Sequence, residues 1–255
     1  MDGVPSVLKS RGIAAALGKR MSKHYQIYDI FGKTYFTLKS DISFGGYFSS
    51  GREYEPFIKK YMKDIDCIGK TIIDCGANLG IHTMLFSDLV GKNGKVIAFE
   101  MQRVIYYQLC ANLFANACFN VDARFEIVDE TSNGFGNIKE NLDYIDGADL
   151  NVGDVHAWNE GLGTIQKRAI DDLNLDDVSV IKMDIQGYEI FALEGARKTI
   201  EKCKPVIFIE IYEPCLRLYG KKPEDVFDWF KDVGYEVSKI DEMDYLAKSK
   251  ECSNV

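Results

Sequence analysis

The stretch from Thr71 to Glu100, TIIDCGANLGIHTMLFSDLVGKNGKVIAFE, restricts the possible folds of this chain more than any other. An apolar β-branched run, Ile72 and Ile73, stops at Asp74. Gly76 and Gly80 then bracket a tight turn into an amphipathic segment, and a second apolar run ends on an acid, Glu100. Strand, glycine turn, helix, glycine turn and strand make half of a nucleotide-binding βαβ unit. Glycine suits such a turn because a Cβ would block the approach of a ligand to the backbone, and the helix start beyond it offers unpaired N–H donors. Glu100 stands where a ribose diol would be received. An ordinary strand-turn-helix corner with an incidental acid would not bring turn, acid and second strand into place together.

The spacing of the turn selects the ligand. A dinucleotide fingerprint, G-x-G-x-x-G, uses its middle glycine to seat a pyrophosphate on the helix end. Here the string is Asp74-Cys75-Gly76-Ala77-Asn78-Leu79-Gly80, with Asn78 in that middle place, so a pyrophosphate is disfavoured. An acid at the strand tip is better matched to a ligand with a sulfonium and an ammonium, as S-adenosylmethionine has. D-x-G-x-x-x-G followed by a strand ending in Glu resembles motifs I and II of the class I methyltransferases.

The 255 residues suit one α/β domain with an N-terminal extension, residues 1–53 as arm, hairpin and loop packed on a main domain over 54–255. A net charge of −8 and the lack of any basic run oppose a broad phosphate-binding face, which argues against a nucleic-acid substrate. Seven cysteines without C-x-x-C pairs suggest neither a zinc knuckle nor a disulfide framework, and read as free thiols of a reducing compartment. The GIAAALG stretch among Lys9, Arg11, Lys19 and Arg20 is too short to span a bilayer. The expected setting is a cytoplasmic, soluble protein.

Residues 1–22 read as an arm, Tyr25 to Leu38 as a hairpin about Phe31-Gly32-Lys33, and Asp41 to Arg52 as a loop that either lies over a ligand or whose aromatics Phe44, Tyr47 and Phe48 serve packing. A helix follows Tyr54-Glu55-Pro56. Beyond Glu100 the pattern predicts a helix over Arg103 to Asn116 and a strand over Val121 to Val128. Asp129 to Gly163, rich in Asn, Asp and Gly, is too long for an ordinary connection and is expected either to face the substrate or to be a surface loop. Thr164 to Ile170 suggests an edge strand and Asp171-Asp172 a helical turn. Val178 to Asp184 is a buried strand, Tyr188 to Lys202 a helix, Val206 to Ile211 a strand, Pro223 to about Gly234 a helix, Tyr235 to Ile240 a strand and Tyr245 to Ala247 a last edge. Alternating strands and helices call for a parallel sheet with right-handed crossovers.

Asp74, Glu100 and Asp184 lie at strand ends, and Glu210 near another, where open parallel sheets bind ligands. A lone acid there is a helix cap or a solvated tip, but four together suggest a site. Paired carboxylates receive a cofactor, remove a hydroxyl proton or hold a divalent ion through oxygen.

Taken in order, Tyr54-Glu55-Pro56, IIDCGANLGIHT, VIAFE, the helix with Asn112 and Asn116, VIKMDIQGYE, LEGARKTI and PVIFIEIYEP resemble the FkbM family of S-adenosylmethionine-dependent methyltransferases, over about Tyr54 to Tyr235. The resemblance implies a doubly wound, mostly parallel seven-stranded sheet with helices on both faces, and methyl transfer to a hydroxyl of a sugar, glycan or related small-molecule acceptor. Two departures stand out: Met101 follows Glu100 where the family has Pro, and Asp184-Ile185-Gln186-Gly187 replaces D-V-E-G. Gln186 keeps hydrogen-bonding ability but is neither an anionic ligand nor a base. Glu189 matches a later family glutamate.

The expected cofactor residues are therefore Glu55, Asp74, Gly76, Asn78, Gly80, Glu100, Met101 and Asp184. Asp184 and Glu210 face the acceptor, with His82 and His156 as secondary base candidates that equally suit packing or exposure. No metal site is expected, although Asp184 and Glu210 offer ligands for a divalent ion. Two other classes share the sheet: a nicotinamide-dependent oxidoreductase, opposed by Asn78, and a cofactor-binding module without turnover, which Gln186 and Met101 would suit.

Overall fold

The computed structural model describes residues 24–138, 156–158 and 163–251; the arm over 1–22 and most of the Asp129 to Gly163 insertion lie outside them. The described residues divide into two compact units after Arg52.

In the first unit β1 (Tyr25–Ile30) and β2 (Lys33–Leu38) form an antiparallel hairpin with Tyr28 opposite Tyr35. The expected loop over Asp41 to Arg52 is instead a helix, α1 (Ile42–Ser50). Asp41 caps it by accepting from the Phe44 N–H at 3.2 Å, and Gly51 ends it in the left-handed region at φ 68°. Glycine and serine obscure a helical spacing that Phe44 and Phe48 reveal, since both are buried and Phe48 stacks on Tyr35 at 4.7 Å.

The second unit runs α2 (Pro56–Met62), β3 (Thr71–Cys75), α3 (Ile81–Val90), β4 (Lys95–Phe99), α4 (Arg103–Ala115), β5 (Val121–Arg124), β6 (Ile127–Val128), β7 (Phe135–Ile138), β8 (Ala157–Trp158), β9 (Ile165–Arg168), a 3-10 turn (Ile170–Leu173), β10 (Val178–Met183), α5 (Glu189–Glu194), α6 (Arg197–Cys203), β11 (Val206–Glu210), α7 (Glu213–Leu218), α8 (Pro223–Asp232), β12 (Tyr235–Lys239) and β13 (Asp244–Ser249). Seven strands form one sheet in the order β12-β13-β11-β10-β3-β4-β5. Neighbours from β5 to β11 are parallel, whereas β13 runs antiparallel to both β11 and β12.

Alternation along the strands sends Ile72, Val96 and Val180 to one face, against Ile58, Phe86 and Val90. Ile73, Ile97 and Ile181 go to the other, against Leu193, Ile200, Val226 and Phe230. Helices thus cover both faces. The chain winds outward from β3 to β5 and then returns to add β10 and β11 on the other side, so the order reverses at the β3–β10 pair. The crevice beyond the carboxyl ends of these two strands is where such a sheet takes ligands.

Four expectations change in this unit, the first being that the edge strand expected over Thr164 to Ile170 is β9, which lies inside a small sheet between β6 and β7. The strand expected over Val121 to Val128 is two strands, β5 in the large sheet and β6 in the small one, ordered β6-β9-β7-β8. The helix over Tyr188 to Lys202 breaks at Gly195, where a Cβ would stand 2.0 Å from the Asp129 carbonyl oxygen. The last strand is not an edge: β13 inserts between β11 and β12, which brings Asp244 opposite Glu210.

Candidate active site

The turn after β3 builds one half of the site. Asp74, fully buried, accepts from Thr83 Oγ1 of α3 at 2.6 Å, while its Oδ1 has no hydrogen-bond donor. Gly76 and Ala77 both donate to the Phe99 carbonyl, at 3.1 and 2.9 Å, which ties the turn to the end of β4. Asn78 is left-handed at φ 49°, and its side-chain oxygen accepts from the Leu79 N–H at 2.7 Å. The Asn78 N–H donates to Glu100 Oε2 at 3.0 Å, and Gln102 N–H to Glu100 Oε1 at 2.7 Å. Glu100 is therefore held at both oxygens; burial pushes its pKa up to about 7, with the Gln102, Asn78 and Met101 N–H groups pulling the other way.

Gly76 is required for a reason its spacing alone does not suggest. A Cβ on it would lie 1.9 Å from the Asp184 backbone oxygen, so the missing side chain admits the next strand's tip. Gly80, at φ 95°, starts α3, and its Cβ would meet Leu109 of α4 at 2.7 Å. Met101, partly buried, packs against the small cluster of Ile127, Ile165 and Tyr188.

The other half gathers at the ends of β10, β11 and β13. Gln186 Nε2 lies 3.2 Å from Asp184 Oδ1 and 3.4 Å from Glu210 Oε2, so one amide joins the two carboxyls. Burial, with Asp184, Glu189 and Asp244 nearby, pushes Glu210 up to about 9. Asp244 is raised to about 7 by burial and by Glu55 and Asp184. Glu189 is also raised to about 7, chiefly by burial; its Oε1 accepts from the Ile185 and Gly187 N–H groups at 3.0 and 3.2 Å, but its buried Oε2 has no donor.

Glu55 and His82 come together beside that pair, since the Tyr54 hydroxyl bonded to Glu55 also lies within the influence of Asp184 and Glu210. His82 Nε2 and Glu55 Oε2 are 2.8 Å apart, and Glu55 adopts a left-handed φ of 42° at the start of α2. Burial pushes Glu55 up, but His82, Lys182 and the Tyr54 hydroxyl outweigh it and hold the carboxyl down at about 2. His156 Nδ1 is 3.0 Å from the Gln186 carbonyl oxygen, which places it behind the bridging residue.

Lys182 was not singled out by its sequence. Its buried ammonium lies 3.4 Å from the Gly76 carbonyl, 3.5 Å from Asp184 and 3.8 Å from Asp74, so it reaches both halves. Burial opposes its charge, yet Asp184, Asp74 and Glu55 keep it above the ordinary lysine range. The available signal was a lysine inside the otherwise apolar run VSVIKM, because a fully buried lysine requires partners. Asp244 carried no such signal, since only the pairing of β13 with β11 brings it here. A groove of about 800 Å³ lined by Ser87, Lys95, Phe119 and Asp122 lies at the amino ends of β4 and β5, away from these residues. Among the described residues no three His, Cys, Asp or Glu side chains gather as a metal set.

Strand order, the reversed β13, and a glycine turn with its acid at the switch point define the class I methyltransferase fold. Residues 74–237, more than half of the chain, match the family described as Methyltransferase FkbM domain, and the chain belongs to that family. No curated protein matches the chain. Among solved structures, the chain is similar to the methyltransferase FkbM from Methylobacillus flagellatus KT, at 19% identity and a TM-score of 0.47, over 74% of this chain and 50% of that one. It is also similar to a SAM-dependent O-methyltransferase from Thermotoga maritima, at 13% identity and a TM-score of 0.49, over 89% and 78% of the two chains. A third is a SAM dependent methyltransferase from Aquifex aeolicus, at 16% identity and a TM-score of 0.44, over 76% and 89%. At these identities and scores the likenesses assign no residue a role.

Proposed function

We propose that this chain transfers the methyl group of S-adenosylmethionine to a hydroxyl oxygen of a sugar, glycan or related small-molecule acceptor. The observation that carries this reading is the Asp184–Gln186–Glu210 bridge beside the glycine turn whose Asn78 N–H donates to Glu100.

The residues present suit the cofactor. Glu100 accepts from backbone N–H groups at both oxygens, and its remaining lone pairs suit ribose hydroxyls as donors. The buried Asp74 Oδ1 accepts no hydrogen bond but already faces the Lys182 ammonium at 3.8 Å, so Asp74 supports the turn rather than offering this oxygen to the cofactor. The Asn78 N–H, being committed to Glu100, is withheld from a pyrophosphate, which disfavours a nicotinamide dinucleotide. When bound, S-adenosylmethionine supplies an activated methyl on a cationic sulfur that leaves without an acid.

The protein's remaining tasks are alignment of the acceptor oxygen and removal of its proton. Glu210, raised to about 9, keeps its proton near neutrality and donates a hydrogen bond to the acceptor. Asp184, with the Lys182 ammonium 3.5 Å away, receives the hydroxyl proton as the oxygen–carbon bond forms. His82 and His156, engaged by Glu55 and the Gln186 carbonyl, are supporting groups in this reading. A reducing cytoplasmic setting accords with the burial of four of the six cysteines among the described residues. A disulfide in the natively purified protein would count against that setting.

Calorimetry with S-adenosylmethionine and with NAD tests the cofactor, and heat with NAD alone would sink the reading. A panel of sugars and hydroxylated small molecules with methyl-labelled S-adenosylmethionine tests the acceptor. With the acceptor found, Asp184→Asn and Glu210→Gln should each lower turnover by at least ~100-fold while leaving cofactor affinity within a few fold. Full turnover in both would remove the pair from the mechanism, and cofactor binding without labelled product would favour a binding module.

A further inference from the structure

Gln186 is fixed from every side. It sits in the left-handed region at φ 56°, a conformation that costs a non-glycine residue about 1 kcal/mol or more. Gly187 follows at φ 92°, and a Cβ there would lie 2.4 Å from the Cys215 backbone, so the main chain passes tightly under the first turn of α7. The Gln186 carbonyl faces His156 Nδ1 at 3.0 Å, and its side-chain oxygen accepts from the Cys215 thiol at 3.7 Å. What remains is an NH2 group with two hydrogens, and two carboxyl oxygens at 3.2 and 3.4 Å to receive them. Turned over, the amide would set an oxygen against the Asp184 carboxylate, acceptor facing acceptor.

Two carboxyls converging at a strand end are also a common way to hold Mg²⁺, Mn²⁺ or Ca²⁺, through oxygen ligands supplied from several sides. Here the place between them holds a hydrogen-bond donor, and the Asp184 oxygen on the other side faces the Lys182 ammonium at 3.5 Å. Both neighbours repel a cation, and neither is an anionic ligand.

We propose that the Gln186 amide occupies the position a divalent cation would take between Asp184 and Glu210, so that this pair is held for an acceptor hydroxyl without a metal. Gln186 is thus a positioning residue, and its assignment rests on the acceptor role proposed for the two carboxyls. A glutamate here would be nearly the same shape but would bring a third carboxylate within 3.2–3.4 Å of the other two, a set that calls for a cation.

The test is Mn²⁺ titration of the full chain, followed by electron paramagnetic resonance of free and bound Mn²⁺, with no acceptor present. Gln186→Glu should bind Mn²⁺ at least ~10-fold more tightly than the unaltered protein, and adding Asp184→Asn to it should abolish the gain. Gln186→Met, which removes the donor and adds no ligand, should fall between the two and keeps the test open if the glutamate variant does not fold. Unaltered protein that binds Mn²⁺ as tightly as either variant would overturn the proposal, as would a gain that survives Asp184→Asn. Failure of the acceptor reading is seen separately, as full turnover in Asp184→Asn and Glu210→Gln; the Mn²⁺ order does not depend on it.

Discussion

At Gly76 the chain has no room for a methyl group. Its φ of 79° belongs to glycine, and the atom a Cβ would strike, at 1.9 Å, is a backbone oxygen of Asp184 that cannot rotate away. Gly76→Ala should therefore separate the ends of β3 and β10, cost on the order of 3 kcal/mol or more in urea unfolding, and abolish cofactor binding. Gly80→Ala is the milder change, because its obstacle is the flexible end of the Leu109 side chain at 2.7 Å; about 1–2 kcal/mol is expected, mostly from its φ of 95°. Equal losses in the two variants would contradict this account. Both glycines were legible in the sequence from their spacing about the turn, but their reason was not, because the residue that crowds Gly76 lies more than a hundred positions away. Lys182 was hidden differently: one lysine within VSVIKM reads as a strand residue until Asp74 and Asp184 are seen to flank its ammonium.

The nucleotide turn is held from behind by α4. Asn112, fully buried, donates its side-chain N–H to the Leu79 carbonyl at 2.8 Å, across 33 residues of sequence. Asn112→Leu keeps the volume and removes the donor, leaving a buried carbonyl without that bond. A loss of about 1–3 kcal/mol is expected in thermal or urea unfolding, with weakened S-adenosylmethionine affinity in calorimetry. Unchanged affinity would mean that α4 supports the fold without shaping the turn. Strands and helices with strong periodicity were legible here, β3, β4, β10 and α4 among them. Boundaries set by distant backbone were not. Gly195 reads as one more residue of an amphipathic helix, yet the Asp129 carbonyl lies where its Cβ would be and the helix restarts at Arg197. Likewise the alternation from Asp244 to Ser249 marks a strand but does not say that it enters the sheet between β11 and β12.

The carboxyl edge of the large sheet concentrates acids that burial and mutual repulsion leave reluctant to ionise: Glu100, Glu189 and Asp244 at about 7 and Glu210 at about 9. Each folded pKa lies above its unfolded value of about 4, so the folded chain binds more protons in the window between the two. The stability these groups contribute is full below about pH 4 and is lost as pH rises through 7 and then 9. Glu55 works in the opposite sense, since its carboxyl, held down at about 2, contributes stability above about pH 4 that disappears in strong acid. The ligand-free protein should thus be most stable near about pH 5 and lose several degrees of melting temperature by about pH 9. In the proposed binding mode S-adenosylmethionine changes this balance, its ribose hydroxyls donating to Glu100 and its two cationic groups favouring ionised carboxylates. Binding near about pH 7 should release protons, read by calorimetry as a heat that varies with the ionisation enthalpy of the buffer, and the fall in melting temperature toward pH 9 should become shallower. A ligand-free melting temperature that climbs steadily from about pH 5 to about pH 9 would mean that these acids are ionised and compensated in the folded chain, and the electrostatic demand for a cationic cofactor would be gone.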